Sequence, residues 1–260
     1  MTQKERRIFL IDCLLKENPG YRTARIPDDE REQKVLLRSL MNVRPPQDTS
    51  EEFLRIQDEY LREAIREGGI TDLAQLKPLA VQGNETLYLW QGDITRLKVD
   101  AIVNAANSAM TGCWQPCHAC IDNCIHTFAG VQLRAVCAGI MQKQGHEEPT
   151  GSAKITSAFN LPCKYVLHTV GPIVQGRLQK KHEEQLASCY RSCLELADQH
   201  KVRSIAFCCI STGVFMFPNR RAAEIVVATV RTYCKETESE IKVVFNVFKD
   251  EDFAIYRGIL

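Results

Sequence analysis

The sequence predicts an α/β fold with a largely parallel sheet that is covered by helices on both faces. From about residue 86, short apolar runs rich in β-branched residues alternate with helical segments up to the C-terminus. This alternation is typical of strands joined by crossover helices. Hydrophobic residues make up 45% of the 260 positions, enough for a substantial core. Residues 1–80 carry helical patterns and predict a helical extension packed on a main domain of residues 81–260.

One helix of this extension is predicted from spacing and capping. Phe53, Ile56 and Tyr60 recur at helical intervals, and Thr49 with Glu52 fits a capping box. The helices predicted for the extension cover residues 3–16, 28–42 and 49–66.

The main domain is predicted to place its ligand loops after strands, because ligands of such sheets bind beyond the carboxyl ends of the strands. Helices are predicted from residues 121, 182 and 219 and at the C-terminus. The first of these, with apolar positions from Ile121 to Ile140 on one face, is predicted to be continuous. The predicted strands cover residues 86–90, 101–106, 153–159, 164–170, 204–211 and 242–248.

Charge and apolar runs exclude several classes of protein. The 33 basic and 32 acidic residues nearly cancel, so bulk charge indicates neither nucleic acid nor an anionic membrane as a partner. Asp12 breaks the N-terminal apolar run, and no later segment approaches the roughly 20 apolar residues that span a bilayer. We therefore expect a cytoplasmic protein without membrane contact. In that compartment the 12 cysteines are expected to be buried, reactive or metal-bound rather than disulfide-bonded.

Residues 112–126, GCWQPCHACIDNCIH, place four cysteines and two histidines on a loop between a predicted strand and a predicted helix. Thiolate and imidazole are the ligands that zinc prefers. The spacing alone does not decide between a structural metal site, a catalytic metal site and a loop without metal. A closed structural site would draw four ligands, and an open catalytic site would use three. The closed site would use Cys113, Cys117, Cys120 and Cys124, with His118 able to replace one, and the open site would use Cys113, His118 and Cys120.

Five segments, in their order and spacing, resemble those of a macrodomain, an ADP-ribose-binding module with a three-layer α/β/α sandwich and a mixed, mostly parallel sheet. The resemblance covers about residues 86–258. The cysteine-rich segment and the helical extension are similar to those of zinc-containing microbial macrodomains, which act as ADP-ribosyl hydrolases. The five segments are GDIT (92–95), AIVNAAN (101–107), IH with AG (125–130), GSAKITSAFNLPCKYVLHTVGP (151–172) and STGVFMFP (211–218).

This resemblance implies that Zn²⁺ is the cofactor and that Cys113, His118 and Cys120 are its ligands. Every fixed position of the subfamily's cysteine and histidine pattern is present in this chain. Three protein ligands leave one position for a ribose hydroxyl or a water.

The resemblance also implies where ADP-ribose binds. Asp93, beside Ile94, would accept from the adenine amino group, although a turn aspartate that caps the next segment is the alternative. Asn104 and Asn107 follow a strand, and Asn107 would face the distal ribose. The pyrophosphate would lie on backbone N–H groups that precede a helix. That loop consists of Ser211, Thr212, Gly213, Val214 and Phe215, with Phe215 lining the distal ribose.

The implied reaction is hydrolysis that releases mono-ADP-ribose from a modified protein side chain. Asp122 would act as a base or fix the ribose, and Asn107 would position it. The alternative is a non-catalytic reader with a structural zinc, because the fold does not decide activity. The implied partners are a mono-ADP-ribosylated lipoyl-carrier protein and an opposing sirtuin-type ADP-ribosyltransferase. We expect a monomer.

Overall fold

The computed structural model describes residues 1–21, 23–82 and 85–260. Its first three helices bury an apolar core of their own, built from residues such as Leu10, Leu37 and Ile56, and α2 and α3 contact the next helix of the chain. The predicted helices of the extension are confirmed to within two residues at each end. They are α1 (Gln3–Glu17), α2 (Glu30–Val43) and α3 (Glu51–Glu67).

The predicted cap of α3 is wrong. Ser50, not Thr49, is the N-cap, and its hydroxyl accepts from the backbone N–H of Phe53 at 3.2 Å. Thr49 instead donates from its hydroxyl to the carbonyl of Gln47. Both residues carry a hydroxyl, so the sequence pattern alone does not separate them.

A seven-stranded sheet in the order β2-β3-β9-β8-β5-β7-β6 forms the centre of the main domain. The five inner strands run parallel, while β2 and β6 pair antiparallel at the two edges. The predicted mixed, mostly parallel sheet is therefore confirmed. The predicted boundary between residues 80 and 81 falls inside β2. The strands are β1 (Thr71–Asp72), β2 (Ala80–Gln82), β3 (Glu85–Gln91), β4 (Leu97–Lys98), β5 (Ala101–Ala106), β6 (Ala153–Ser157), β7 (Tyr165–Val170), β8 (Ser204–Phe207) and β9 (Lys242–Val247).

Helices cover both faces of this sheet. Crossovers between parallel strands are right-handed. The chain moves one way along the sheet from β5 to β7 and the other way from β7 to β8 and β9. The helices α4 and α5 therefore lie on one face, and α6 and α7 lie on the other. Helix α8 packs beside α7. These helices are α4 (Ile121–Ala129), α5 (Val131–Gln144), α6 (Lys180–Gln199), α7 (Asn219–Thr237) and α8 (Asp250–Ile259).

The helix predicted to run on from residue 121 is wrong as a single element. The helix breaks at Gly130, which has a φ of 101°, a backbone conformation that favours glycine. The two halves, α4 and α5, meet at a bend of 111°. Val136 therefore leaves the buried face and is 41% exposed.

Among the described residues, no single helix is both long enough and apolar enough to cross a membrane, and only the bent pair α4–α5 meets that length and composition when counted together.

Candidate functional site

The loops that follow β3, β8 and β5 lie along one edge of the sheet. These strands and the intervening β9 are parallel neighbours, so their carboxyl ends meet at the same edge. Asp93 follows β3, residues 211–215 follow β8, and residues 107–120 follow β5. The sheet therefore brings the predicted site residues to one edge in this spatial order.

Three of the candidate metal ligands form one compact group. The ligand atoms of Cys113, His118 and Cys120 lie within 4.8 Å of one another, and all three residues are partly exposed. The Cys113 sulfur is 3.6 Å from His118 Nδ1. Cys120 is also the N-cap of α4, and its sulfur accepts from the Asn123 N–H at 3.4 Å. Two thiols and one imidazole at this spacing fit a zinc ion.

Burial keeps one of these thiols protonated in the metal-free chain. Burial, together with the adjacent Cys113 thiol, raises the pKa of Cys120 to about 12, although the hydrogen bond from the Asn123 backbone lowers it. Such a thiol loses its proton to solvent near neutral pH only when a bound metal cation takes the proton's place and stabilises the thiolate.

The two other cysteines of the segment point elsewhere. The Cys117 sulfur lies 3.2 Å from Ser39 Oγ and 3.5 Å from the carbonyl oxygen of Val35, both on α2. The Cys124 sulfur lies 3.5 Å from Arg38 Nη2. Of the arrangements that the spacing left open, the structure therefore presents the three-ligand group and not the closed set of four cysteines.

A buried carboxylate lies two residues after Cys120. Asp122 is 5% exposed, and its two oxygens accept from Asn104 Nδ2 at 2.8 Å and Asn107 Nδ2 at 3.3 Å. Burial raises the pKa of Asp122 to about 6, although the hydrogen bond from Asn104 and the charge of Arg134 lower it. A carboxyl group tuned toward neutral pH suits general acid and base catalysis.

The two asparagines differ in what they can contact. The expectation that Asn104 follows a strand is wrong, because it lies inside β5. It is fully buried between Asp122 and His168, so it holds the carboxylate from inside the domain. Asn107 is partly exposed, and its Nδ2 also donates to the Gly112 carbonyl at 3.1 Å. Of the two, Asn107 is placed to face a ligand.

Behind the carboxylate, His126, Cys137 and His168 form a second group of potential ligand atoms, all buried within 4.8 Å of one another. His168 already contacts Asn104 at 3.2 Å and Thr156 at 3.0 Å through its two ring nitrogens. Burial lowers the pKa of His168 to about 4 and that of His126 well below its usual value. These neutral side chains form the wall that buries Asp122.

A substitution at Gly112 tests how closely the metal loop, residues 107–120, packs against the buried His126. It has φ 82°, and an added Cβ would lie 2.7 Å from Cγ of the buried His126 ring. We expect Gly112→Ala to lower the free energy of unfolding by about 2–4 kcal/mol, from backbone strain and overpacking together. Gly139→Ala is the control, because an added Cβ at that position of α5 meets nothing within 4 Å. Denaturant unfolding compares the two, and equal midpoints would contradict the close packing.

The residues predicted to bind adenine, Asp93 and Ile94, lie just after β3. Asp93 Oδ1 accepts from the Thr95 N–H at 3.0 Å and from its hydroxyl at 2.6 Å, so the capping role is present. The other oxygen lies 3.5 Å from Arg96 Nε, in a partly exposed carboxylate. Ile94 is 1% exposed, so only its backbone could reach a ligand.

The loop after β8 presents its backbone to solvent. Within the described part of the chain, the N–H groups of Gly213, Val214 and Phe215 donate no hydrogen bond, and the Val214 side chain is 72% exposed. Such a run of N–H groups can bind an anion. The helix that follows this loop, α7, begins at Asn219 as predicted. Residues 213–215 therefore precede the helix but lie before its first turn, where the effect of the helix dipole is concentrated.

The fold and the site together define a class of protein: a three-layer α/β/α domain whose polar loops line the carboxyl edge of a mixed sheet. Residues 103–226 match the family model of the Macro domain. A protein-ADP-ribose hydrolase of Treponema medium is 70% identical over 260 residues, which cover 100% of both chains. A protein-ADP-ribose hydrolase of Staphylococcus aureus is 49% identical over 98% of this chain and 95% of its own length.

Solved structures of macrodomains also resemble this chain. A macrodomain variant of Oceanobacillus iheyensis with ADPR has a TM-score of 0.64 and 37% identity, covering 69% of this chain and 94% of its own. The Trypanosoma brucei macrodomain in complex with ADP-ribose has a TM-score of 0.64 and 30% identity, covering 82% and 91%. This chain belongs to the macrodomain family, and its activity is that of a hydrolase.

Proposed function

We propose that this protein is a zinc-dependent ADP-ribosyl hydrolase that removes mono-ADP-ribose from a modified protein side chain. The observation that carries the proposal is the compact group of Cys113, His118 and Cys120, whose last member is the N-cap of α4 and lies two residues before the buried Asp122. Relatives that match this chain over nearly their whole length are named protein-ADP-ribose hydrolases.

The order of the loops along the sheet edge supports ADP-ribose as the ligand. Three strand spacings separate β3 from β5, or roughly 14 Å at about 4.8 Å each. Adenine would lie beside Asp93, the pyrophosphate on the N–H groups of residues 213–215 within the loop of residues 211–215, and the distal ribose beside Asn107. The bond to be cleaved would then lie next to Asp122.

Each group at the ribose end has a role in this proposal. When bound by Cys113, His118 and Cys120, zinc would supply a Lewis acid that polarises a ligand oxygen and lowers the pKa of water toward about 7. Asn107 would orient the ribose through its amide. Asp122 would fix a ribose hydroxyl or take a proton from the attacking water, in a reaction with an oxocarbenium-like transition state.

We further propose the substrate and setting. The substrate would be a mono-ADP-ribosylated lipoyl-carrier protein, modified by a sirtuin-type ADP-ribosyltransferase, and the hydrolase would act as a cytoplasmic monomer. Incubation of the purified chain with such a modified carrier tests the substrate. A carrier that keeps its modification, while other mono-ADP-ribosylated proteins lose theirs, would remove the carrier from the proposal.

Removal of metal tests the activity itself. We expect a chelator to abolish the release of ADP-ribose from a mono-ADP-ribosylated protein while leaving the affinity for free ADP-ribose nearly unchanged, because adenine and pyrophosphate bind away from the metal loop. Calorimetry measures the affinity, and circular dichroism checks the fold. Undiminished turnover in the metal-free protein would contradict zinc dependence. Binding without turnover in the zinc-loaded protein would favour the reader alternative.

A further inference from the structure

We propose that helix α2 of the N-terminal extension positions the metal-binding loop, with Arg38 and Asn42 as the positioning residues. The inference rests on the proposed zinc site and gives the extension a role in it. The loop that carries the ligands is 70 or more residues away from α2 in the chain, yet polar contacts connect the two elements at several points.

Arg38 contacts the loop next to two of the ligands. Its Nη2 donates to the carbonyl of His118 at 2.8 Å and to Asn123 Oδ1 at 2.8 Å. Asn123 in turn donates from Nδ2 to the carbonyl of Gln115 at 2.9 Å and lies 3.4 Å from that of Cys113. One planar guanidinium therefore contacts the backbone of the ligand segment directly at His118 and, through Asn123, at Gln115 and Cys113.

Asn42 holds the turn between the ligands. It is 1% exposed, and its Oδ1 accepts from the Cys117 N–H at 2.9 Å, while its Nδ2 donates to Thr127 Oγ1 at 2.9 Å. Cys117 has φ 54°, a left-handed conformation that a non-glycine residue adopts only when its surroundings enforce it. A contact from α2 thus stabilises the backbone turn that brings His118 toward Cys113.

Arg134 of α5 contacts both the end of α2 and the metal-binding loop. Its guanidinium donates to the carbonyls of Asn42 and Arg44 at 2.7 Å, and its Nε donates to the carbonyl of Thr111 at 2.7 Å. The same group lies 4.1 Å from the ring centroid of Trp114, within the loop. The end of α2 and the start of the metal loop therefore share one buried cation.

These contacts predict a loop that is ordered before metal binds. Outer groups that orient metal ligands typically change metal affinity by about 10–100-fold when they are removed. We expect Arg38→Ala to weaken zinc binding by a factor in this range, with a larger fall in kcat than rise in KM for the modified protein. In the metal-free chain, amides of residues 113–120 should exchange hydrogen faster in this variant than in the wild type.

The experiment combines chelator competition for zinc with hydrogen exchange of the metal-free chain. Arg6→Ala is the matched control, because Arg6 pairs with Glu59 at 2.9 Å inside the helical extension. This control should leave zinc affinity and loop exchange unchanged. Arg38→Lys is the second variant, since lysine keeps the charge without the planar fork, and it serves if Arg38→Ala fails to fold.

The outcomes separate this inference from the proposed function. Wild type that binds no zinc would overturn the zinc site, and loop exchange would still test the positioning by α2. A different result would overturn the positioning role alone. In that case the wild type binds zinc, and a folded Arg38 variant has the same zinc affinity and the same loop exchange as the wild type. Weaker zinc binding with faster loop exchange in an Arg38 variant, but not in Arg6→Ala, supports it.

Discussion

Cys113→Ala is expected to lose its zinc and to release ADP-ribose from a modified protein more than about 100-fold more slowly than the wild type. Loss of one of three ligands leaves Cys120 and His118, too few to hold zinc tightly in a site that keeps one position open. The backbone carbonyl of Cys113, which lies 3.4 Å from donors on Asn123 and Arg134, remains in place. Elemental analysis and an assay of ADP-ribose release measure both effects.

Cys117→Ala is the matched control on the same loop. Its sulfur contacts Ser39 and Val35 rather than the ligand group, and alanine keeps the backbone N–H that donates to Asn42 Oδ1. We expect it to retain about one zinc per chain and near wild-type turnover. If Cys117→Ala loses zinc while Cys113→Ala keeps it, the ligand set is different from the one that the structure groups.

Asp122→Asn is expected to lower kcat by about 100-fold to 10,000-fold, the usual contribution of general acid or base catalysis, while ADP-ribose still binds. The asparagine side chain has nearly the same shape but cannot take a proton. One of its ends would place a donor against Asn104 or Asn107, at a cost of about 1–3 kcal/mol. Relief from burying a carboxylate offsets part of this cost.

Asp252→Asn controls for the loss of a buried acid. Asp252 is 6% exposed and accepts from Asn219 Nδ2 at 2.6 Å, a setting close to that of Asp122 but in α8. We expect it to keep its turnover. Full activity in Asp122→Asn, with unfolding midpoints that match those of the control, would remove Asp122 from the catalytic machinery.

The sequence predicted the elements whose patterns are long. The strand of residues 101–106 has the bounds of β5, and the helix predicted from residue 219 begins there. The two-residue strands β1 and β4 lie below what periodicity can detect. The break at Gly130 went unpredicted because apolar spacing continues across it, and a single glycine inside a helical pattern is often tolerated.

The candidate site was predictable where its residues are neighbours in the chain. Cys113, His118 and Cys120 lie within eight positions, so their spacing suggested a metal group, and the resemblance selected these three. Arg38 and Asn42 could not be found in this way. Their contacts with the loop join residues some 75 to 86 positions apart, and neither lies in a motif. His168 lies inside a recognised segment, but nothing in that segment indicates that its ring supports Asn104.

A zinc titration tests whether zinc on Cys113, His118 and Cys120 is required for hydrolysis. The chain is stripped of metal, zinc is added back in steps, and the initial rate of ADP-ribose release is measured at each step. We expect no turnover without zinc and a rate that rises in proportion to bound zinc up to about one equivalent per chain. A full rate before any zinc is added, in protein shown by elemental analysis to be metal-free, would contradict it.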